Sequence, residues 1–109
     1  MQIQKATTKD ELALCYQVMK DLRPHHTQET FINTAEQMQK EGYHLLFLTD
    51  AGKPVCVAGY RITTTLYDGP IIDFDDFVTV ADARGKGYAG KLFNHLVSIA
   101  KEKFIKTIY

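Results

Sequence analysis

The sequence predicts a mixed α/β fold in a single domain, residues 1–109, with elements in the order β-α-α-β-β-β-α-β. Three observations carry that expectation. Strand-like apolar runs alternate with segments of helical apolar spacing. Capping and turn signals separate them, with no repeat, linker or low-complexity stretch. A chain of 109 residues with 45% hydrophobic content is long enough for one core and too short for two.

Each element has its own signal. "MQIQKA" alternates with period two as a first strand, and Thr8 followed by Glu11 is the capping-box start of a helix. Leu12, Tyr16, Met19 and Leu22 form its apolar stripe, and the helix stops before Pro24. A second helix starts near Thr27, carries Phe31, Ala35 and Met38 on one face, and ends at Gly42. "YHLLFLTD" reads as a buried strand, "DAGK" as a hairpin turn and "PVCVAGYRITTTL" as the partner strand. After the break at "YDGP", "IIDFDDFVTV" is another strand; a glycine-rich turn then leads into a helix over 88–103. The expected core face of that helix is Ala89, Leu92, Phe93, Leu96, Val97 and Ala100, and "IKTIY" begins a last strand.

Composition excludes several classes of function. Net charge is zero, which argues against a nucleic-acid binder, because that role needs a basic face. No run approaches the roughly 20 apolar residues that span a bilayer, and the amino terminus has no signal-peptide pattern, so the expected address is the cytoplasm without membrane attachment. Cys15 and Cys56 sit in apolar patterns and read as small buried hydrophobes; no metal-ligand spacing is present. Charge is unevenly placed. Residues 1–83 hold 7 Lys and Arg against 12 Asp and Glu, net −5, while 84–109 hold 6 against 1, net +5.

The positive half begins at "ARGKGYAG", where Arg84, Lys86 and three glycines precede a helix. Converging backbone N–H groups and a helix N-terminus make such a turn an anion cradle. A Walker loop is ruled out because Gly87, and not Ser or Thr, follows Gly85-Lys86. Gly85, Gly87 and Gly90 also spell G-x-G-x-x-G, but this follows the fourth strand instead of the first, and no acid lies about 20 residues on to hold a ribose.

The alternative spelling of the same letters fits its surroundings. Val78-Thr79-Val80, the turn Ala81-Asp82-Ala83, then Arg84-Gly85-Lys86-Gly87-Tyr88-Ala89 opening a helix resemble the central signature of the GNAT superfamily of N-acetyltransferases. The resemblance implies a mainly antiparallel central sheet and acetyl-CoA as co-substrate. It places the pyrophosphate on Arg84, Gly85 and the N–H groups of Lys86, Gly87, Tyr88, Ala89 and Gly90. The pantetheine arm lies along Val78, Thr79 and Val80, with the Val78 N–H polarising the thioester carbonyl. It also implies direct attack by a primary amine in a ternary complex.

An ammonium with a pKa near 10.4 must lose a proton before it can attack. Candidates for the base are Asp73, Asp75 and Asp76; strict alternation puts the first two on one face and Asp76 on the other unless a bulge intervenes. As a group they are expected to attract a cationic acceptor, small molecule or protein. His25 and His26, between the first two helices, are candidates for acceptor contact. Members of the family continue past this point into a helix and two strands, with a tyrosine that protonates the thiolate. The chain is therefore expected to be C-terminally truncated and weakened in turnover, or to complete itself as a homodimer through an edge left open by Ile105 and Ile108. The alternative function is a non-catalytic module of the same fold that binds CoA or dimerises.

Overall fold

In a computed structural model covering residues 1–109, two helices follow the first strand and one precedes the last. The elements are β1 (Gln2–Lys5), α1 (Lys9–Met19), α2 (Gln28–Lys40), β2 (Tyr43–Asp50), β3 (Lys53–Thr65), β4 (Gly69–Thr79), a 3₁₀ turn (Ala81–Ala83), α3 (Tyr88–Glu102) and β5 (Thr107–Ile108). The order is the one the sequence predicts. The strands lie in chain order in one sheet, antiparallel throughout except for the parallel β4–β5 pair that α3 connects.

Local chemistry explains where the first two helices begin. Thr8 Oγ1 accepts from the Glu11 N–H at 3.1 Å, and Glu11 Oε1 accepts from the Thr8 N–H at 3.0 Å. Thr27 and Thr30 repeat the device at the start of α2. Helices α1 and α2 then cover one face of the sheet, packing Leu12, Cys15, Met19 and Phe31 against Leu45, Phe47 and Val57. On the other face, Leu92, Leu96 and Ala100 of α3 pack against Leu46, Leu48, Cys56 and Ile72. Cys15 and Cys56 thus belong to different cores, and both are free and buried. No helix is long and apolar enough to cross a membrane.

Two expectations about α3 and its exit need correction. The buried stripe is Tyr88, Leu92, Leu96 and Ala100; Ala89 and Phe93 are exposed, and Val97 is half-buried. Burial of the Tyr88 ring rotates the face by one residue and leaves Phe93 beside Phe74, with centroids 6.2 Å apart. Ile105 does not lie on an open edge. It is buried, its N–H donating to Ala100 O at 2.8 Å while Phe104 N–H donates to Lys101 O at 3.3 Å. That pair of bonds is a Schellman cap, which requires the residue between to be left-handed. Phe104 takes that role at φ 57° although it is not glycine.

Candidate active site

The three aspartates lie on one face because β4 carries a bulge. Asp76 pairs with Gly59 but Phe74 pairs with Tyr60, so Asp75 is an extra residue in β4. Tyr43, Arg61 and Asp73 are directly opposite one another across three strands, as are Leu45, Gly59 and Asp76. Tyr43 and Leu45 belong to the core under α1 and α2, so both rows face those helices. The alternation that separated Asp76 from the other two is interrupted by the bulge.

Asp75 and Asp76 line a cavity of about 390 Å³ between that face and the α1–α2 loop, together with Arg23, His25, His26 and Tyr43. Asp73 is exposed and does not line it. Asp76 is engaged at both oxygens: Arg23 Nε and Nη2 reach Oδ1 at 3.0 and 2.8 Å, and the Tyr43 hydroxyl donates to Oδ2 at 2.5 Å. Its side chain is only 10% exposed. Burial, then the bond to Asp76, pushes the Tyr43 phenol far above its ordinary range, so it stays a donor. Arg61 Nε donates to Asp75 Oδ2 at 2.9 Å and leaves Oδ1 free, while its guanidinium lies 5.5 Å from the Tyr43 ring centroid.

Glycine at 59 makes this arrangement possible. An ideal Cβ there would overlap Oη, Cζ and Cε1 of Tyr43, so the ring reaches Asp76 only across a residue without a side chain. Sequence reasoning missed Tyr43, Arg23, Arg61 and Gly59. The available signal was the glycine inside the apolar run "VCVAGY", which marks a close approach.

On its outer edge β4 is paired for only part of its length. Tyr109 N–H donates to Ile72 O at 2.8 Å and Phe74 N–H to Tyr109 O at 3.2 Å, and no strand pairs with that edge beyond Phe74. On the inner edge, Val80 N–H donates to Val55 O at 3.0 Å. Alternation therefore turns the Val78 N–H inward as well, toward β3, and turns those of Phe77 and Thr79 outward. The outward donors on this edge are thus one residue away from the Val78 N–H assigned by the sequence.

The open edge runs into the glycine turn. Gly85 and Gly87 have φ of +84° and +82°, which side chains rarely adopt, and Gly87 caps α3. Unlike α1 and α2, α3 has no side-chain cap and no acid in its first turn. Its leading N–H groups are therefore left without side-chain partners. Arg84, Lys86, Ala89 and Gly90 around them are exposed. Gly90 has helical φ and open space where a Cβ would be, so nothing within the protein requires glycine there. Arg84 Nε folds back onto Thr79 O at 3.2 Å. The Tyr88 side chain serves as an anchor: its buried ring carries a hydroxyl that donates to Asp50, which lowers the carboxyl pKa and raises that of the phenol. The start of α3 is thereby tied to the end of β2.

Residues 7–109 match the family model described as Acetyltransferase (GNAT) family. The chain belongs to the GNAT acetyltransferase family. It is 31% identical over 103 residues to the uncharacterized N-acetyltransferase YhdJ of Bacillus subtilis, covering 92% of this chain and 71% of that protein. Among solved structures it superposes on a GNAT family acetyltransferase of Staphylococcus aureus with a TM-score of 0.86 at 17% identity, covering 98% of this chain and 82% of the other. It also superposes on AAC(6')-Iy in complex with a bisubstrate analogue, CoA-S-monomethyl-acetylneamine, with a TM-score of 0.81 at 17% identity and coverage of 99% and 76%. At those identities the likeness shows the fold. Membership in the GNAT family makes the chain an acetyltransferase, a class that moves acyl groups from acyl-CoA to amines.

Proposed function

We propose that this chain transfers an acetyl group from acetyl-CoA to a primary amine in a ternary complex, working in the cytoplasm, where free buried thiols such as Cys15 and Cys56 are at home. The observation that carries the reading is the open outer edge of β4 leading into the uncapped N-terminus of α3. An extended arm fits the edge, and a pyrophosphate fits the N–H groups at Lys86, Gly87, Tyr88, Ala89 and Gly90. Acetyl-CoA supplies the acyl group as an activated thioester. The Phe77 N–H is the donor placed to polarise a carbonyl lying along that edge.

Asp75 is our assignment for the base, acting directly or through one water, because it lines the cavity and its Oδ1 has no partner within the protein. Asp76 instead holds Arg23 and Tyr43 in place. A second copy pairing along β5, the edge strand, is our reading of the quaternary state; it is supported by exposed Leu66, Tyr67 and Tyr109 near that edge. Light scattering that finds only monomer at high concentration rejects that part.

The central test compares thermal shifts with acetyl-CoA, CoA and NADH, followed by thiol release with a panel of amines. At 100 times the dissociation constant a ligand stabilises by about 2.7 kcal/mol. A shift with NADH alone sinks the reading. Asp75→Asn should keep the acetyl-CoA shift and lower kcat by roughly 100-fold or more. If Asp73→Asn does this instead, the base is misassigned.

A further inference from the structure

Two aspartates on the cavity floor suggest an acidic site for a polycation, but both are already neutralised by arginines. Arg23 and Tyr43 occupy both oxygens of Asp76, and Arg61 occupies one oxygen of Asp75. One carboxylate oxygen remains free, which suits a single ammonium. The loop end of the cavity carries Arg23 and two imidazoles beside the apolar side chains of Met19, Phe31, Ala35 and Met38. Arg23 spends Nε and Nη2 on β4 and keeps Nη1; His25 and His26 stand beside it with ring centroids 4.5 Å apart. His26 Nδ1 is held by Thr30 Oγ1 at 3.1 Å, leaving Nε2, which donates in the tautomer or imidazolium that carries a proton there. All three side chains face the same 390 Å³ cavity, at the small end of the roughly 300–1,000 Å³ range of small-molecule sites.

We propose that the acceptor is a small amine that also carries a carboxylate or phosphate, its anionic group held by Arg23, His25 and His26 and its nitrogen facing Asp75. This rests on the acetyltransferase reading and narrows it. Arginine with adjacent imidazoles is a donor set for an oxyanion, and the planar guanidinium keeps its fork geometry while one edge is tied to Asp76. A polyamine would find one free carboxylate oxygen, with the Arg23 guanidinium at the other end of the cavity. Its second ammonium would have to displace Arg23 from a nearly buried carboxylate. The site is therefore asymmetric, with donors at the loop end and one acceptor at the sheet end.

The experiment is a set of matched pairs assayed by thiol release with saturating acetyl-CoA: glucosamine 6-phosphate against glucosamine, an α-amino acid against its carboxamide, and spermidine alone. The expected result is a kcat/KM at least tenfold higher for the anionic member of one or both pairs, expressed mainly in KM, with spermidine poorest. His25→Gln should shrink that ratio several-fold. Arg23→Lys, which keeps a charge beside Asp76 but loses the fork, should shrink it further. If no amine turns over, the same pairs are compared by their added thermal stabilisation in the presence of CoA. Equal values within both pairs, or a preference for spermidine, in either assay overturns the proposal; turnover of any amine leaves the acetyltransferase reading standing. No turnover together with no shift from acetyl-CoA or CoA removes both.

Discussion

Gly59→Ala tests the cavity floor by adding one methyl group. The new Cβ overlaps three atoms of the Tyr43 ring, so the ring must leave its place and its hydroxyl must leave Asp76. Forcing a buried ring aside costs about 1–3 kcal/mol. Losing a hydrogen bond to a charged group that is nearly buried costs about 1.5–3 kcal/mol. The two together come to about 2.5–6 kcal/mol, against a total stability of about 5–15 kcal/mol for a domain of this kind. With an unfolding entropy near 2.1 cal/mol/K per residue, that lowers Tm by about 11–26 °C. In a Tyr43→Leu background the three overlapping atoms are gone, and Gly59→Ala should cost less than about 0.5 kcal/mol, a shift under roughly 2 °C. Urea and thermal unfolding of the four proteins measure the coupling. An equal penalty in both backgrounds would refute the claim that glycine is there to admit the tyrosine.

Three further outcomes follow from named residues. Gly90→Ala should raise Tm of the free protein by about 2–4 °C, since glycine in a helix costs roughly 0.5–1 kcal/mol, while reducing the shift that acetyl-CoA produces; an undiminished shift would show that Gly90 does not face the co-substrate. Phe104→Gly should raise Tm by about 4 °C by relieving a left-handed residue worth roughly 1 kcal/mol, since the ring is 87% exposed and gives up little burial; an unchanged Tm would remove the strain argument. The Glu11 carboxyl is held below its ordinary value of 4.5, chiefly by the Thr7 N–H and then that of Thr8. A folded value below the unfolded one means stabilisation that is complete above about pH 4.5 and lost as pH falls through the folded value. The Tm gap between wild type and Glu11→Gln should therefore close on acidification, and a constant gap from about pH 7 to pH 2 would count against it.

What could be read from the sequence was local. Thr8 with Glu11, the turns at "DAGK" and "YDGP", and the glycines before α3 act within a few residues, and each placed its element. The site is built from pairs that act at a distance. Arg23 meets Asp76 across 53 positions, Tyr43 meets it across 33, and Tyr88 reaches back 38 to Asp50. Nothing in the local pattern joins these partners. The stripe of α3 was misplaced in part for the same reason: spacing allows either Ala89 and Phe93 or Tyr88 to share the inward face with Leu92 and Leu96, and the bond to Asp50 goes with Tyr88.

The bulge is where fold and chemistry meet most closely. A regular ladder would give β4 no residue opposite the gap between Gly59 and Tyr60, and one aspartate on the cavity side at that level. That single carboxylate would face a choice between two roles. Beside Arg23 and Tyr43 it would fix the loop but have no lone pair aimed at an incoming amine; free of them, it would leave the loop untethered and the tyrosine hydroxyl unpaired. The extra residue separates the roles. Asp76 takes the structural bonds, Asp75 keeps an open oxygen, and just beyond them the edge of β4 turns the Phe77 amide away from β3. In the proposed mechanism the base, the tether and the carbonyl donor are three consecutive residues, Asp75, Asp76 and Phe77, and the single insertion lets them act without competing.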